Sequence, residues 1–379
     1  MSYYGNLILR ERLARSWSQA GLCKGICTVS YLSKIETGKA QPSADVLRLL
    51  LARLGLHTDP ALEAAGAHCA EDGYERLFTG RFGELAAALP AVSDETYRAT
   101  AAWTDLLLLR QFDTDGGALD AGLEAGMTQR QLAMQRLLQG RWDEALALLP
   151  NAFCHWRIGV SAYEAGRYED AVEHLQAGYD LAARDGAARL MLLCRTYMGN
   201  CYCNRRDMER MHPHYTAARR LAQALGEQEL LDSIAYNTAA VQIERGQFEE
   251  AYGYFSTLDD PGVLALHKLA ICCEKTGRTA EALAALERAE AAEAAETAEQ
   301  RSETVEKMLA VVRFRLAHPD YLHCDEYGAL LLDCFTCCRT RLPQGYAAFH
   351  LPWVVEWYTS ARQYKKVCEL LTEFPDIRL

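Results

Sequence analysis

Residues 28–39 read Thr-Val-Ser-Tyr-Leu-Ser-Lys-Ile-Glu-Thr-Gly-Lys, an order of residue types suited to meeting a polyanion. Thr28 has the side chain of a helix N-cap, and Gly38 that of a helix stop. Between them Leu32 and Ile35 take one side of a helix and leave Val29, Ser30, Ser33 and Lys34 on the other. Small groups let a helix backbone approach base edges, and a lysine reaches guanine or phosphate. The chemistry this suggests is recognition. A Gly-rich phosphate loop, an HExxH helix and a nucleophile elbow are missing from the 379 residues, and the ten histidines are scattered, so neither an enzyme nor a cofactor is expected.

Such a helix needs others to hold it. Leu7, Ile8, Leu13 and Trp17 repeat at near-helical spacing and predict a first helix over residues 5–16. Ser18 caps a second that Gly25 stops, and Pro42-Ser43 opens a fourth carrying Val46, Leu47, Leu50 and Leu51 to Gly55. Four short helices with a tight glycine turn between the second and third make a helix-turn-helix unit. Charge supports the division: residues 1–60 hold eight Lys/Arg against four Asp/Glu, whereas the whole chain carries −11. A small basic head on an acidic body makes the head the place for DNA.

This head resembles the phage-repressor, or XRE-type, helix-turn-helix family, through Ser18-Gln19, Thr28 and Tyr31 to Lys39. By that resemblance Gln19 holds a phosphate, Val29, Ser30 and Lys34 face bases, Lys39 contacts the DNA backbone, and Arg12 and Glu36 form a structural pair between the first and third helices. The turn is one residue shorter than the common pattern, and Val29 stands where a polar or basic reader is more usual.

Beyond His57-Thr58-Asp59-Pro60, read as a hinge, the chain is helical and one phrase recurs. It appears as Gly140-Arg-Trp-Asp-Glu-Ala, Gly166-Arg-Tyr-Glu-Asp-Ala, Gly246-Gln-Phe-Glu-Glu-Ala and Gly277-Arg-Thr-Ala-Glu-Ala, with a weaker copy at Gly80 and a degenerate one at Arg206. A glycine turn, an aromatic and then an alanine describe a bend between two helices that cross closely. The pattern is similar to the tetratricopeptide repeat, irregularly spaced, with 26 residues from Gly140 to Gly166 and 31 from Gly246 to Gly277. The expected fold is therefore all-α: a helix-turn-helix domain over 1–57, then an α-solenoid of tetratricopeptide-like helix pairs over 58–379. The Ala/Glu-rich stretch 279–299 reads as a solvated helix.

Counted from each turn, the resemblance places Trp156, Val160 and Tyr163; Thr196, Asn200 and Cys203; Tyr236, Ala240 and Ile243; and His267 and Ile271 along a concave groove, with Asn237 beside Tyr236. Asparagine both donates and accepts, so Asn200 and Asn237 among aromatic rings suit the backbone of an extended peptide. Their removal is expected to weaken peptide binding and to leave the stability of the free chain nearly unchanged. The chain's net acidity favours neutral or basic ligands.

An XRE-type head followed by such repeats resembles the RNPP group of peptide-pheromone receptors typified by the PlcR and Rgg regulators. The short turn and Ile26-Cys27 add to this, as do the asparagines of Met198-Gly199-Asn200 and Ala235-Tyr236-Asn237. The resemblance implies a cytoplasmic homodimeric transcription factor that binds a palindromic double-stranded operator and is gated by a short signalling peptide. A repeat scaffold docking a protein partner is the competing reading. No membrane contact is expected, since no stretch approaches 18 apolar residues. The fourteen cysteines read as reduced core residues, and neither Cys201-x-Cys203 nor the run His323, Cys324, Cys334, Cys337, Cys338 has zinc-knuckle spacing, so no metal is expected.

Overall fold

The computed structural model describes residues 2–91, 94–295, 297 and 302–374, and among them every regular element is a helix. The chain is all-α, a helix-turn-helix head followed by a helical repeat. Its contacts form two compact units, Met1–Ile158 with Ala177–Met191, and Gly159–Gln176 with Leu192–Leu379.

The first unit begins with four short helices: α1 (Tyr3–Ala14), α2 (Gln19–Cys23), α3 (Val29–Glu36) and α4 (Ala44–Arg53). Ser18, Thr28 and Ser43 cap the last three by accepting from Gly21, Tyr31 and Val46 backbone N–H groups. Leu7, Ile8, Leu22, Leu32, Ile35, Leu50, Leu51 and Leu54 close one core. Leu13 and Trp17 do not join it; they are 58% and 39% exposed. The helix ends at Ala14 and Ser16 turns with φ 55°, which carries Trp17 off the helical face that spacing alone assigned to it.

Beneath that core lies one ionic bond. Glu36, 2% exposed, accepts from Arg12 Nε at 2.6 Å and Arg12 Nη2 at 3.0 Å, and from Gln19 Nε2 at 2.7 Å. One carboxylate thus ties α1, α2 and α3 together. Gly5 permits the close crossing of α1 and α3, because a Cβ there would collide with the Ile35 carbonyl.

The junction at 57/58 is a break in the chain's path, where Asp59 caps α5 (Pro60–Thr79), but packing bridges it. Tyr4 donates to Glu63 at 2.9 Å, Asn6 to the carbonyls of Gly122 and Leu123, and Glu11 pairs with Arg98. The unit continues through α6 (Leu85–Ala88), α7 (Trp103–Asp113), α8 (Gln129–Leu138) and α9 (Trp142–Leu148). Helices α10 (Ala152–Glu164), α11 (Tyr168–Asp185) and α12 (Ala188–Asn204) contain the boundaries between the units.

In the second unit follow α13 (Met208–Leu225), α14 (Gln228–Glu244), α15 (Phe248–Phe255), α16 (Val263–Lys275), α17 (Thr279–Ala295), α18 (Glu303–Ala317), α19 (Asp325–Arg341), α20 (Gln344–Ser360) and α21 (Tyr364–Glu373). The end of the Ala/Glu-rich stretch beyond α17 lies outside the described residues, apart from Thr297.

The recurring phrase is one backbone device. Gly80, Gly140, Gly166, Gly246 and Gly277 all have φ between 70° and 84°, the left-handed region that only glycine enters without strain. Arg206 adopts it at 57° in the degenerate copy, and Arg362 at 56° in a further copy, Arg362-Gln-Tyr, that no glycine marks. The alanine five residues on, at 145, 171, 251 and 282, is fully buried each time. All fourteen cysteines are free thiols and ten are buried.

Two outcomes follow for stability. Arg362 is exposed, so Arg362→Gly relieves left-handed strain and should raise stability by about 1 kcal/mol in a urea titration. Glu36→Ala strands a buried guanidinium and should cost about 3–5 kcal/mol, with the loss confined to the melting of the head.

Candidate functional site

Two surfaces need to be built up, one on each unit. On the head, Val29 (44% exposed), Ser30, Lys34 and Lys39 face solvent, and Ser33 does so in part. Thr28 does two things: its hydroxyl accepts from the Tyr31 N–H, and its position starts the helix that carries these side chains. Tyr31 Oη donates to the Gln41 carbonyl at 2.9 Å and fixes the loop beyond Gly38 and Lys39. Arg53 donates to the carbonyls of Leu22 and Lys24 and so holds the turn between α2 and α3. Spacing gave no sign of that last contact, because it joins positions 29 and 31 residues apart. Gln19 turns its amide nitrogen inward to Glu36, and the residue as a whole is half-buried.

On the second unit, α10, α12, α14, α16 and α20 supply the walls of a cavity of about 330 Å³. Tyr163, Tyr236 and Asn237 line it as the repeat register implied, with Cys203 and Ala240. Asn200 stands behind the wall. Its Oδ1 accepts from Asn237 Nδ2 at 3.1 Å and from the buried Tyr215 hydroxyl at 2.7 Å, so the two asparagines are bonded to each other. Asn204, one helical turn beyond Asn200, reaches the cavity and donates to Tyr163 Oη at 3.3 Å. The i,i+4 spacing of Asn200 and Asn204 was the available signal for it.

Six further expected groove residues lie elsewhere, Val160 and Ile243 among them. Thr196 is buried and donates to the Leu192 carbonyl in its own helix. His267 and Ile271 are 1% and 0% exposed, and neither is among the residues that line the cavity. Lys268 lines the cavity instead. Lys268 stands nine residues before Gly277, the place that Tyr197 and Asn237 hold before Arg206 and Gly246, so this position rather than that of His267 faces the cavity. Trp156 belongs to the first unit and stacks on Phe82 at 4.6 Å.

Burial dominates the electrostatics. It raises the Tyr163 and Tyr236 hydroxyls, pushes the Cys203 thiol up to about 12, and lowers the Lys268 ammonium from its ordinary value. Glu244 is raised by the same burial, opposed by Arg206 at 3.1 Å. Cys334, Cys338 and His350 have donor atoms within 4.8 Å of one another. The His350 Nδ1 lies 3.8 Å from the Cys338 sulfur and 2.8 Å from the Tyr346 carbonyl, and the three groups number one fewer than a closed tetrahedral set.

Residues 8–60 match the family model described as Helix-turn-helix. The head is a helix-turn-helix domain. No curated protein matches the chain. Among solved structures, a Rap protein complexed with competence and sporulation factor aligns with TM-score 0.56 and 14% identity over 82% of this chain and 96% of that one. The apo quorum sensor NprR from B. thuringiensis aligns at 0.44 and 13% over 96% and 99%. Bacillus thuringiensis PlcR, with the peptide PapR7 and DNA, aligns at 0.28 and 15% over 62% and 99%. The first of these shows a shared fold.

The geometry corrects one expectation and adds another. Asn200→Ala leaves the buried Tyr215 hydroxyl without its acceptor and should destabilise the free chain by about 1–3 kcal/mol, whereas Asn237→Ala should cost less. His267, held neutral by burial well below its ordinary value, protonates only on unfolding. Its contribution is intact above about pH 6.5 and is lost below it, at about 1.4 kcal/mol per pH unit. His214, lowered to about 4 by burial and then by Arg195, acts in the same direction. His267→Leu should flatten the fall in melting temperature between pH 7 and pH 5.

Proposed function

We propose that this protein is a sequence-specific DNA-binding transcriptional regulator, gated by a short signalling peptide bound in the second unit, a receptor of quorum-sensing type. The observation that carries the DNA half is the exposed α3 face of Val29, Ser30, Ser33 and Lys34 on a helix-turn-helix domain whose own core needs none of them. The family match covers that helix entirely. Gln19 and Lys39 flank it as backbone contacts, Gln19 through the second N–H of the amide whose first is donated to Glu36.

The peptide half is supported by the cavity. Tyr163, Tyr236 and Phe349 offer ring surface, while Asn204 and Asn237 offer carboxamides that can answer a peptide bond. The Rap protein that shares the fold is complexed with a factor of its own, which fits a fold that accepts signals. One head presents a single recognition helix, so we expect a homodimer on a palindromic operator with half-sites one or more helical turns apart. No helix among the described residues is long and apolar enough to cross a membrane, and we place the regulator in the cytoplasm.

Gel shifts on the DNA upstream of the protein's own gene test the first half. Lys34→Ala should weaken binding and relax the base preference at its position, while Lys39→Ala should weaken all sequences alike and reduce the salt slope by about 1. Retention of wild-type binding by both variants across salt concentrations would return the chain to the role of a protein-docking scaffold.

A further inference from the structure

Two carboxylates, Glu164 and Glu244, line the cavity, but neither is paired with its lysine. Lys268, on α16, is 6% exposed and lines the cavity, and among the described residues no carboxylate lies within 4.0 Å of its ammonium. What holds it is aromatic: the Nζ sits 4.2 Å from the centroid of Phe349 and 5.4 Å from that of Tyr236. Rings of this kind stabilise an ammonium but leave its N–H donors without acceptors. The nearest buried acid on the cavity wall, Glu244, is taken by Arg206, which also donates to the Ala348 carbonyl at 3.0 Å. Glu164, also on the wall, is exposed and hydrated. The buried groups therefore number two cations to one carboxylate, in a chain whose net charge is −11.

Unpaired buried charge is costly to a fold, and the usual remedies, an ion pair or an apolar substitute, are both missing here. Neutral polar groups stand around the same space: the hydroxyls of Tyr163 and Tyr346 and the carboxamides of Asn204 and Asn237. Its volume, about 330 Å³, is at the small end of ligand pockets and takes one end or one side chain of a peptide rather than its whole length.

We infer that the cavity selects ligands that present a carboxylate, with the Lys268 ammonium as the counter-ion and the neighbouring carboxamides and hydroxyls as its further hydrogen-bond partners. The inference rests on the peptide reading above, and the carboxylate is either a peptide's C-terminus or an Asp or Glu side chain. Local charge here overrides the chain average, which pointed to neutral or basic ligands. Burial that lowers the lysine's proton affinity in the empty cavity fits this, because an arriving carboxylate restores it.

Immobilised full-length protein, shown to bind its operator, is offered three random heptapeptide pools and the retained peptides are read by mass spectrometry. One pool has free C-termini, one is C-terminally amidated, and one is amidated and lacks Asp and Glu. The expected result is retention at least about tenfold greater for a carboxylate-bearing pool than for the third. Preference for free over amidated termini assigns the C-terminal source, and retention of the amidated pool only when Asp and Glu are present assigns the side-chain source. Lys268→Met should abolish the preference and raise the melting temperature of the free protein, opposite to the loss that a purely structural lysine would give. Equal retention of all three pools by the wild type would overturn the carboxylate inference and leave the peptide reading standing. Retention of none would overturn both.

Discussion

A left-handed residue between paired helices is the constraint on which the body of this protein depends. Seven times along the chain φ turns positive at the residue that begins a helical hairpin, at Gly80, Gly140, Gly166, Arg206, Gly246, Gly277 and Arg362. That turn sets the angle at which the second helix leaves, and a buried alanine at 145, 171, 251 and 282 sets how near it can return. Gly159 belongs to the same arrangement, since a Cβ there would come within 2.7 Å of Leu175. The side chains facing the cavity are placed by these turns rather than by contacts of their own.

The same device explains what could be read in advance. Wherever the turn used glycine, the sequence showed the hairpin, and the head was legible because its caps and glycines stand at their ordinary places. Arg362 hid one hairpin because arginine carries no sign that it will accept a left-handed conformation. Counting from a turn placed Tyr163, Tyr236 and Asn237 on the cavity wall, whereas His267 and Ile271 are buried and do not line it. Lys268 holds the same place before its turn as Asn237, but a lysine on a helix is usually a solvated one and gives no sign of burial. The mutual bond of Asn200 and Asn237 could not be foreseen either, since it joins side chains of two helices, Nδ2 to Oδ1, at 3.1 Å.

Charge follows a similar division between average and place. The head's core is tied by a carboxylate that accepts from one guanidinium and one carboxamide, and each guanidinium nitrogen has an acceptor. In the cavity the corresponding balance is open, with Lys268 packed against rings and the wall's Glu244 bonded to Arg206. A fold that keeps a buried ammonium unpaired retains stability in reserve, released when an anion enters, and such a coupling is what a receptor needs in order to make occupancy change its conformational preferences. The head, packed through Tyr4, Asn6 and Glu11 onto residues 63–123 of its own unit, is joined to the body by side-chain contacts as well as by the backbone at 57/58.

The central claim, that ligand occupancy sets DNA affinity, is tested most directly by fluorescence anisotropy. A labelled fragment from upstream of the gene is titrated with full-length protein, with and without the small-peptide fraction of the host's culture. The account predicts that the fraction shifts the Kd for that fragment by about 5-fold to 150-fold, the usual range of coupling between two sites, and that Asn237→Ala removes the shift while leaving peptide-free binding intact. An identical Kd with and without the fraction, together with tight binding of the fragment, would contradict it.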